Sequence, residues 1–485
     1  MFRIPDDLYS YQKEDVQKLL KPGNFLLFNE MGTGKTPESL ATCELSGFRR
    51  VLIVCPNSLR WEWARQILDW TGEKAAVSLR SARKRLDPFF NNTTKYYVIN
   101  YESFRISRYK EILVGLPWDC IILDEAHKLK SPRRLQSKGI YELCMRRKDK
   151  TKILALTGSP IINNPSDLHN LLCLTQSNLY TPGDRNLFID RYCYYVPTRY
   201  GVKITGTRNL DELRSRTAPY TIRRTKKEVL PYLPDKYYRF PELQMDDEQR
   251  DLYQAMEEDL FVLLDEGLEL TAPSVLAQLM RLRQLNLDPH ILGSSVSSSK
   301  TDFLDDLVDS IVSMESDDVS EEKEINTSNG NGNGGQKLVI FSCFATYIRY
   351  LHHRYSNIPH VILTGEENAE DRAVSVKRFQ EDPNIKICMG TIQAMGEGIT
   401  LTAASNVVLM DRWWSPAQNS QAIDRLHRIG QRNPVQVIIP TNIDSIDQSL
   451  STILRRKEEF AAGYFNDSSI LAEVINERRK NPGKD

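Results

Sequence analysis

Along the chain, short runs of Val, Ile and Leu alternate with longer stretches whose apolar residues recur at helical spacing. Short continuous apolar runs mark strands buried on both faces, and their alternation with helix-length segments predicts a parallel sheet flanked by helices. The strand candidates form two series. The first is Asn24–Asn29, Val51–Cys55, Tyr96–Asn100, Cys120–Leu123 and Lys152–Leu156. The second is Lys337–Ser342, His360–Leu363, Ile385–Gly390, Asn406–Met410 and Val435–Pro440. Two series predict two α/β lobes.

Between them the pattern changes. Asn163–Leu230 reads as mixed helix and loop, dense in Tyr and Arg. Asp246–Leu285 has helical spacing, with Leu252, Met256, Leu260, Leu263 and Leu264 expected as a core-facing stripe. Ser294–Ser299 is Ser-rich, Asp302–Asp318 is acidic, and the Asn/Gly tract Asn326–Gly335 is expected to be a flexible loop. The expected organisation is a first lobe over 1–230, with a helical insertion over 163–230. A second lobe follows over 231–450, with a helical protrusion over 246–290 and a loop over 313–336. A helical extension over 451–485 completes it.

Composition narrows the class. The 485 residues suggest roughly three domain-sized units, enough for more than one packed core. Lys plus Arg (64) balances Asp plus Glu (64), which weakens the case for whole-molecule charge driving nucleic-acid binding and leaves room for a basic groove offset by acidic surface. The eight cysteines stand singly, without a CxxC pair, which favours reduced thiols over a zinc site or a disulfide framework. Met1–Asp7 lacks an apolar leader and no apolar run is long enough to span a bilayer. The expectation is a soluble, cytoplasmic protein of a bacterium or of a virus-infected cell, without membrane contact.

Three segments carry chemistry. Asn29-Glu30-Met31-Gly32-Thr33-Gly34-Lys35-Thr36 follows a strand and should open a helix. There, glycines let backbone N–H groups close around phosphate oxygens, Lys35 would reach the outer phosphates of ATP, and Thr36 would ligate Mg²⁺. Asn29 occupies the place of the first glycine in the broad phosphate-loop pattern. Next, Ile121-Ile122-Leu123 runs into Asp124-Glu125-Ala126-His127, a DEAH box at the carboxyl end of a strand, where α/β sheets bind ligands. Asp124 would hold Mg²⁺ through water, and Glu125 would position and deprotonate the attacking water. Finally, Gln421-Ala422-Ile423-Asp424-Arg425-Leu426-His427-Arg428-Ile429-Gly430-Gln431 carries two arginines three apart, read as neighbours on one helical face. Such arginines stabilise transferring phosphoryl groups.

With these elements in this order, the chain resembles helicase superfamily two and, within it, the Swi/Snf-type DNA translocases. Further motifs are similar to that family's. Tyr11-Gln12 matches its adenine-reading motif, and Val54-Cys55-Pro56-Asn57-Ser58-Leu59 with Trp61 and Trp63 its DNA-tracking motif. Leu156-Thr157-Gly158-Ser159-Pro160, followed by Asn164, matches its coupling motif. Ile222-Arg223-Arg224-Thr225-Lys226-Lys227-Glu228-Val229-Leu230 with Leu233-Pro234 matches its lobe junction, and Leu282–Pro289 its helical protrusion. Val339-Ile340-Phe341-Ser342 opens the second lobe, and Thr391–Leu401 is the second lobe's glycine motif. The match runs over about residues 8–450. Three positions depart: Asn29 where the family commonly has Asp, Thr33 where it has Leu, and Thr400 where it has Asn.

The resemblance implies two RecA-like lobes, ATP and Mg²⁺ as cofactors, and duplex DNA gripped along its backbone. It implies nucleotide contacts from Gln12, Glu30, Met31, Gly32, Thr33, Gly34, Lys35, Thr36, Gly398 and Gln421, with Lys35, Asp124, Glu125, Arg425 and Arg428 catalytic. DNA contacts are expected from Asn57, Ser58, Asn100, Tyr101, Thr157, Gly158 and Thr391, while the basic clusters Arg80–Arg85, Lys128–Arg134 and Arg223–Lys227 are read as solvated charge, with phosphate contact as the alternative. Trp413 and Trp414 are read as packing residues. The compact form is similar to the annealing-helicase branch without its accessory repeats. A monomeric motor addressed by protein partners is expected. The alternatives are a strand-separating DNA or RNA helicase and a non-enzymatic scaffold on a motor fold.

Overall fold

The computed structural model describes residues 6–79, 85–90, 94–146, 150–158, 165–176, 179–198, 201–265, 273–313, 337–367, 369–396 and 398–459. Its strands, in chain order, are β1 Phe25–Leu27, β2 Val51–Cys55, β3 Ala76–Val77, β4 Tyr96–Asn100, β5 Cys120–Asp124, β6 Lys152–Leu156, β7 Cys193–Thr198, β8 Gly201–Thr207 and β9 Thr221–Ile222. They continue as β10 Lys236–Arg239, β11 Glu242–Leu243, β12 Leu338–Ser342, β13 His360–Leu363, β14 Ile387–Thr391, β15 Asn406–Leu409, β16 Val435–Ile438 and β17 Thr441–Asn442. The chain divides into two compact units, one ending at Tyr232 and the other starting at Leu233.

The first unit is built on a parallel seven-stranded sheet, ordered β3-β4-β2-β5-β6-β1-β9. Its central strands bury every residue up to Leu123 because successive side chains feed two separate cores. Leu52, Val54, Ile121 and Leu123 face one; Val51, Ile53, Cys120 and Ile122 face the other. Parallel register places Asp124 beside Leu156 and Leu156 beside Leu27, so β5, β6 and β1 end level. That common end carries the candidate chemistry.

The second unit repeats the plan with a parallel six-stranded sheet, β10-β16-β15-β12-β14-β13. Val339, Phe341, Val407 and Leu409 face one core and Leu338, Ile340 and Val408 the other. A further core joins the helices Asp247–Asp265, Pro273–Leu287 and Ile446–Glu459 through Tyr253, Leu260, Leu282, Trp414 and Leu450. Trp414 is buried there, with the Arg283 guanidinium 4.4 Å from its ring centre, which fits a packing role.

The two-lobe α/β reading holds, with local corrections. Within 163–230 the structure contains the antiparallel hairpin β7–β8 and the edge strand β9, not helix and loop alone. The hairpin exposes Tyr194, Val196 and Val202, so it lacks the buried run that marks a strand, and β9 is too short to show a period. In Asp247–Asp265, Leu252 is 38% exposed, while Tyr253, Glu257 and Leu260 are buried. The core face is turned by one residue because Tyr253 brings both a ring and a hydroxyl. That hydroxyl accepts from Ile446 N (2.8 Å) and donates to Glu257 (3.0 Å). The side chains of Leu263 and Leu264, the Asn/Gly tract and residues 460–485 lie outside the described residues. No helix among the described residues is long and apolar enough to cross a membrane.

Candidate nucleotide site and arginine turn

β1 is followed by buried Phe28 and Asn29, then a loop, then the helix Lys35–Leu45. Gly32 (φ +81°) and Gly34 (φ +93°) adopt left-handed backbone that side chains resist. At Gly34 space is also short, since a Cβ would collide with Gln12 Nε2. The helix begins at Lys35, so its first amides lack intrahelical partners and its dipole favours an anion at the loop. Lys35 Nζ folds back onto the loop, donating to Asn29 O (2.7 Å) and Glu30 O (3.1 Å). A phosphate would compete with these carbonyls for the ammonium.

Tyr11 and Gln12 brace the same loop. Tyr11 Oη (2.6 Å) and Gln12 Nε2 (3.0 Å) both donate to Thr33 O, while Gln12 Oε1 accepts from Tyr9 N (2.9 Å). Gln12 thus bridges the backbones of Tyr9 and Thr33. Thr33 itself donates to Glu30 O (2.8 Å), and the Glu30 carboxylate accepts from Lys226 N (2.8 Å). Met31 meets Gly158, where a Cβ would sit 2.7 Å from Met31 Cγ. Gly158 lets the end of β6 approach the phosphate loop.

Asp124 closes β5. Its Oδ2 accepts from Trp63 Nε1 (2.7 Å) and its Oδ1 from Glu125 N (2.9 Å). Asp124 is half-buried by surface area, yet the protein crowding its carboxylate, with Glu125 beside it, pushes its pKa up to about 6. Trp63 and Lys35 pull the other way. The carboxylate form still prevails at neutral pH. Glu125 sits at φ +49°, a left-handed conformation costly for a residue with a Cβ, and such strain clusters at functional sites. Its carboxylate lies 3.2 Å from His127 Nδ1, which is 3.1 Å from Thr157 Oγ1. A chain of polar groups thus links the ends of β5 and β6. Trp63 was expected within a DNA-tracking motif and Tyr101 as a DNA contact beside Asn100; Tyr101 is buried, and its Oη donates to Asp124 O (2.6 Å). The burial of Trp63 four residues before buried Ile67 was visible in the helical spacing; its partner was not.

The expected DNA-contact positions divide. Asn57 is exposed and Ser58 half-buried, at the turn before the helix Arg60–Thr71. Asn100 is turned inward, its amide on Glu102 (2.8 Å) and its carbonyl on Ser103 (2.6 Å). Thr157 is buried against His127, and Thr391 caps the turn Ile392–Met395 through Ala394 N (3.2 Å). Polar side chains at strand ends satisfy the turn that follows, as Asn100 and Thr391 do here. Of the basic clusters, Arg133, Arg134, Arg223 and Lys227 are exposed, Lys226 is buried and Arg224 is paired internally. Ser159, Pro160, Asn164, residues 80–84 and Glu397 lie outside the described residues.

In the second unit the arginines are not on one helical face. The helix Pro416–Ile423 stops first, and Arg425 to Gly430 form successive turns, with Arg425 N on Ala422 O (3.1 Å) and Gly430 at φ +100°. Three-residue turns replace the helix because the following side chains reach sideways to the glycine motif. Arg425 donates to Gly396 O, Arg428 to Ile399 O (3.3 Å), and Gln431 to Ala404 O (2.8 Å). Leu401 N returns a bond to Arg425 O (2.9 Å), and His427 meets Pro234 O at 2.7 Å. Gly398 (φ +71°) lies in this loop, and Gln421 is buried at the helix end. Two motifs read separately in the sequence are one hydrogen-bonded body.

The SNF2-related domain model matches residues 11–291, and the Helicase conserved C-terminal domain model matches residues 322–430. The chain is 24% identical to the human DNA annealing helicase and endonuclease ZRANB3, over 96% of this chain and 41% of that one. It is 25% identical to the uncharacterized ATP-dependent helicase MG018 of Mycoplasma genitalium, over 94% of this chain and 42% of that one. The chain therefore spans about two-fifths of the length of these curated relatives. A solved SWI2/SNF2 ATPase core from Sulfolobus solfataricus, in complex with dsDNA, shares 24% identity over 99% of this chain and 97% of its own, with a TM-score of 0.42. On the family model that covers more than half of its length, the chain belongs to the SNF2-related family of helicase-like ATPases.

Proposed function

We propose that the chain hydrolyses ATP and uses the energy to move along double-stranded DNA, remodelling protein–DNA or branched DNA structures. One observation carries the reading: the carboxylates of Asp124 and Glu125 stand at the end of a parallel strand, level with a glycine-cradled phosphate loop. In this reading Lys35 exchanges Asn29 O and Glu30 O for phosphate oxygens. Glu125 orients the attacking water and takes its proton. Arg425 and Arg428 supply positive charge to the transferring phosphoryl group. The hydroxyl of Thr36 and the carboxylate of Asp124 are hard oxygen donors of the kind that suit Mg²⁺, which would neutralise phosphate charge when bound.

DNA as the track is supported by family membership and by the human relative's name. Exposed Asn57, Arg133, Arg134, Arg223 and Lys227 are available for backbone contact, which is largely independent of sequence. The motor acts inside the cell as a monomer and takes its address from protein partners. Movement without strand separation is tested with two substrates and saturating ATP. A third strand is expected to be released from a triplex, while a forked duplex stays paired. Fork unwinding without triplex release would favour the strand-separating helicase instead.

A further inference from the structure

Asn29, which departs from the family's usual Asp, is fully buried and uses both amide hydrogens. Its Nδ2 donates to Asp15 Oδ2 (3.1 Å) and to Glu38 Oε2 (3.1 Å), two carboxylates that are also buried. The second Asp15 oxygen accepts from Arg224 Nε (3.0 Å) and Nη2 (2.8 Å), and Arg224 reaches Glu14 as well (3.0 Å). Burial, and Asp15 beside it, push the Glu38 carboxyl well above its usual range, against the opposing pull of Lys35, Asn29 and Arg224. A carboxylate at position 29 would face two carboxyl groups without donating to either. The carboxylate that meets Arg224 stands at position 15 in this chain, and the amide stands at 29.

This cluster joins two pieces of backbone. Phe28 N donates to Ile222 O (2.7 Å), Glu30 N to Arg224 O (2.9 Å), and Lys226 N to the Glu30 carboxylate (2.8 Å). On the other side, the carbonyls of Asn29 and Glu30 hold Lys35 Nζ. Residues 28–30 thus lie between the phosphate-binding ammonium and the segment Thr221–Leu230, which ends two residues before the unit's last residue, Tyr232. We propose that Asp15, Asn29 and Arg224 are positioning residues that couple the phosphate loop to Thr221–Leu230, with Asp15 and Asn29 acting as one hydrogen-bonded carboxylate–amide pair. A phosphate that draws Lys35 off the two carbonyls is then felt along this segment. The inference rests on the ATPase reading for its kinetic part only.

The test uses the full chain with Asp15→Asn, Asn29→Asp and the double exchange. Steady-state turnover gives kcat and KM for ATP, and amide hydrogen exchange follows Thr221–Leu230 with and without a non-hydrolysable ATP analogue. Each single variant is expected to lower kcat by on the order of tenfold, with KM changed by no more than about threefold, because the phosphate-binding groups remain. Each should also abolish the analogue-dependent change in exchange. The double exchange restores the hydrogen bond between positions 15 and 29 with its ends reversed but leaves Glu38 facing a carboxylate, so it is expected to recover part of both readouts, above the worse single variant. A double variant no better than the worse single, or single variants with the parent's exchange response, would overturn the proposal. If a single variant fails to fold, Arg224→Gln, at a half-exposed site, is expected to abolish the same exchange response, and a parental response there overturns the proposal. A parent that binds the analogue but never turns over ATP contradicts the ATPase reading and leaves the exchange test standing.

Discussion

Glu125→Gln is expected to lower kcat for ATP by about 10²–10⁴-fold, the usual contribution of a positioned general base. Gln keeps the shape and hydrogen-bonding reach of the side chain, so the left-handed turn at φ +49° and the contact toward His127 are retained. It cannot take a proton. Binding of a fluorescent ATP analogue is therefore expected within about threefold of the parent, because Lys35 and the loop amides are untouched. The checks are steady-state phosphate release and equilibrium titration of the analogue. Equal turnover in both forms would remove Glu125 as the base, and with it the argument from the end of β5.

Arg425→Ala is expected to cost about 10³–10⁵-fold in turnover, the range for an arginine that stabilises a transferring phosphoryl group. Arg425 also donates to Gly396 O, so its removal frees one end of the loop that Arg428 and Gln431 hold at Ile399 and Ala404. Arg425→Lys separates the two contributions: it keeps a charge but loses the planar fork, and is expected to fall between the parent and Ala. Single-turnover phosphate release reads all three. Turnover in Arg425→Ala within tenfold of the parent would show that the charge is supplied elsewhere.

Apolar runs located the strands, and at Val51–Cys55, Tyr96–Asn100, Lys152–Leu156 and His360–Leu363 also their ends, whereas the run Ile385–Gly390 became Ile387–Thr391 and Asn24–Asn29 became Phe25–Leu27. The hairpin β7–β8 was not legible, because it exposes Tyr194, Val196 and Val202 and so breaks the apolar run that marks a buried strand. Leu252 misled for a related reason. Apolar character favoured it, but Tyr253 has the hydroxyl needed to satisfy Ile446 N, and that decided which face was buried. At the site, the loop glycines, Lys35 and the Asp124-Glu125 pair were visible as motifs. Their supports were not, since Trp63 and Asp124 are 61 positions apart and Asp15 and Arg224 are 209 apart. Local spacing cannot report contacts that only folding creates.

The arginines show the same limit differently. Arg425 and Arg428 were read as a helical pair from their spacing, yet the helix ends at Ile423 and the turns that follow are shaped by carbonyls of residues 396–404. Their residue type was informative; their geometry came from a partner loop. Asn29 marks the opposite case, a departure from pattern that becomes intelligible once buried Asp15 and Glu38 are seen around it.

The most direct measurement of the central claim is ATP turnover by the purified chain in buffer alone, with duplex DNA, and with RNA, at matched nucleotide concentration and low salt. The account predicts that duplex DNA raises kcat severalfold or more above buffer and that RNA does not. Stimulation by RNA with none by duplex DNA would contradict it.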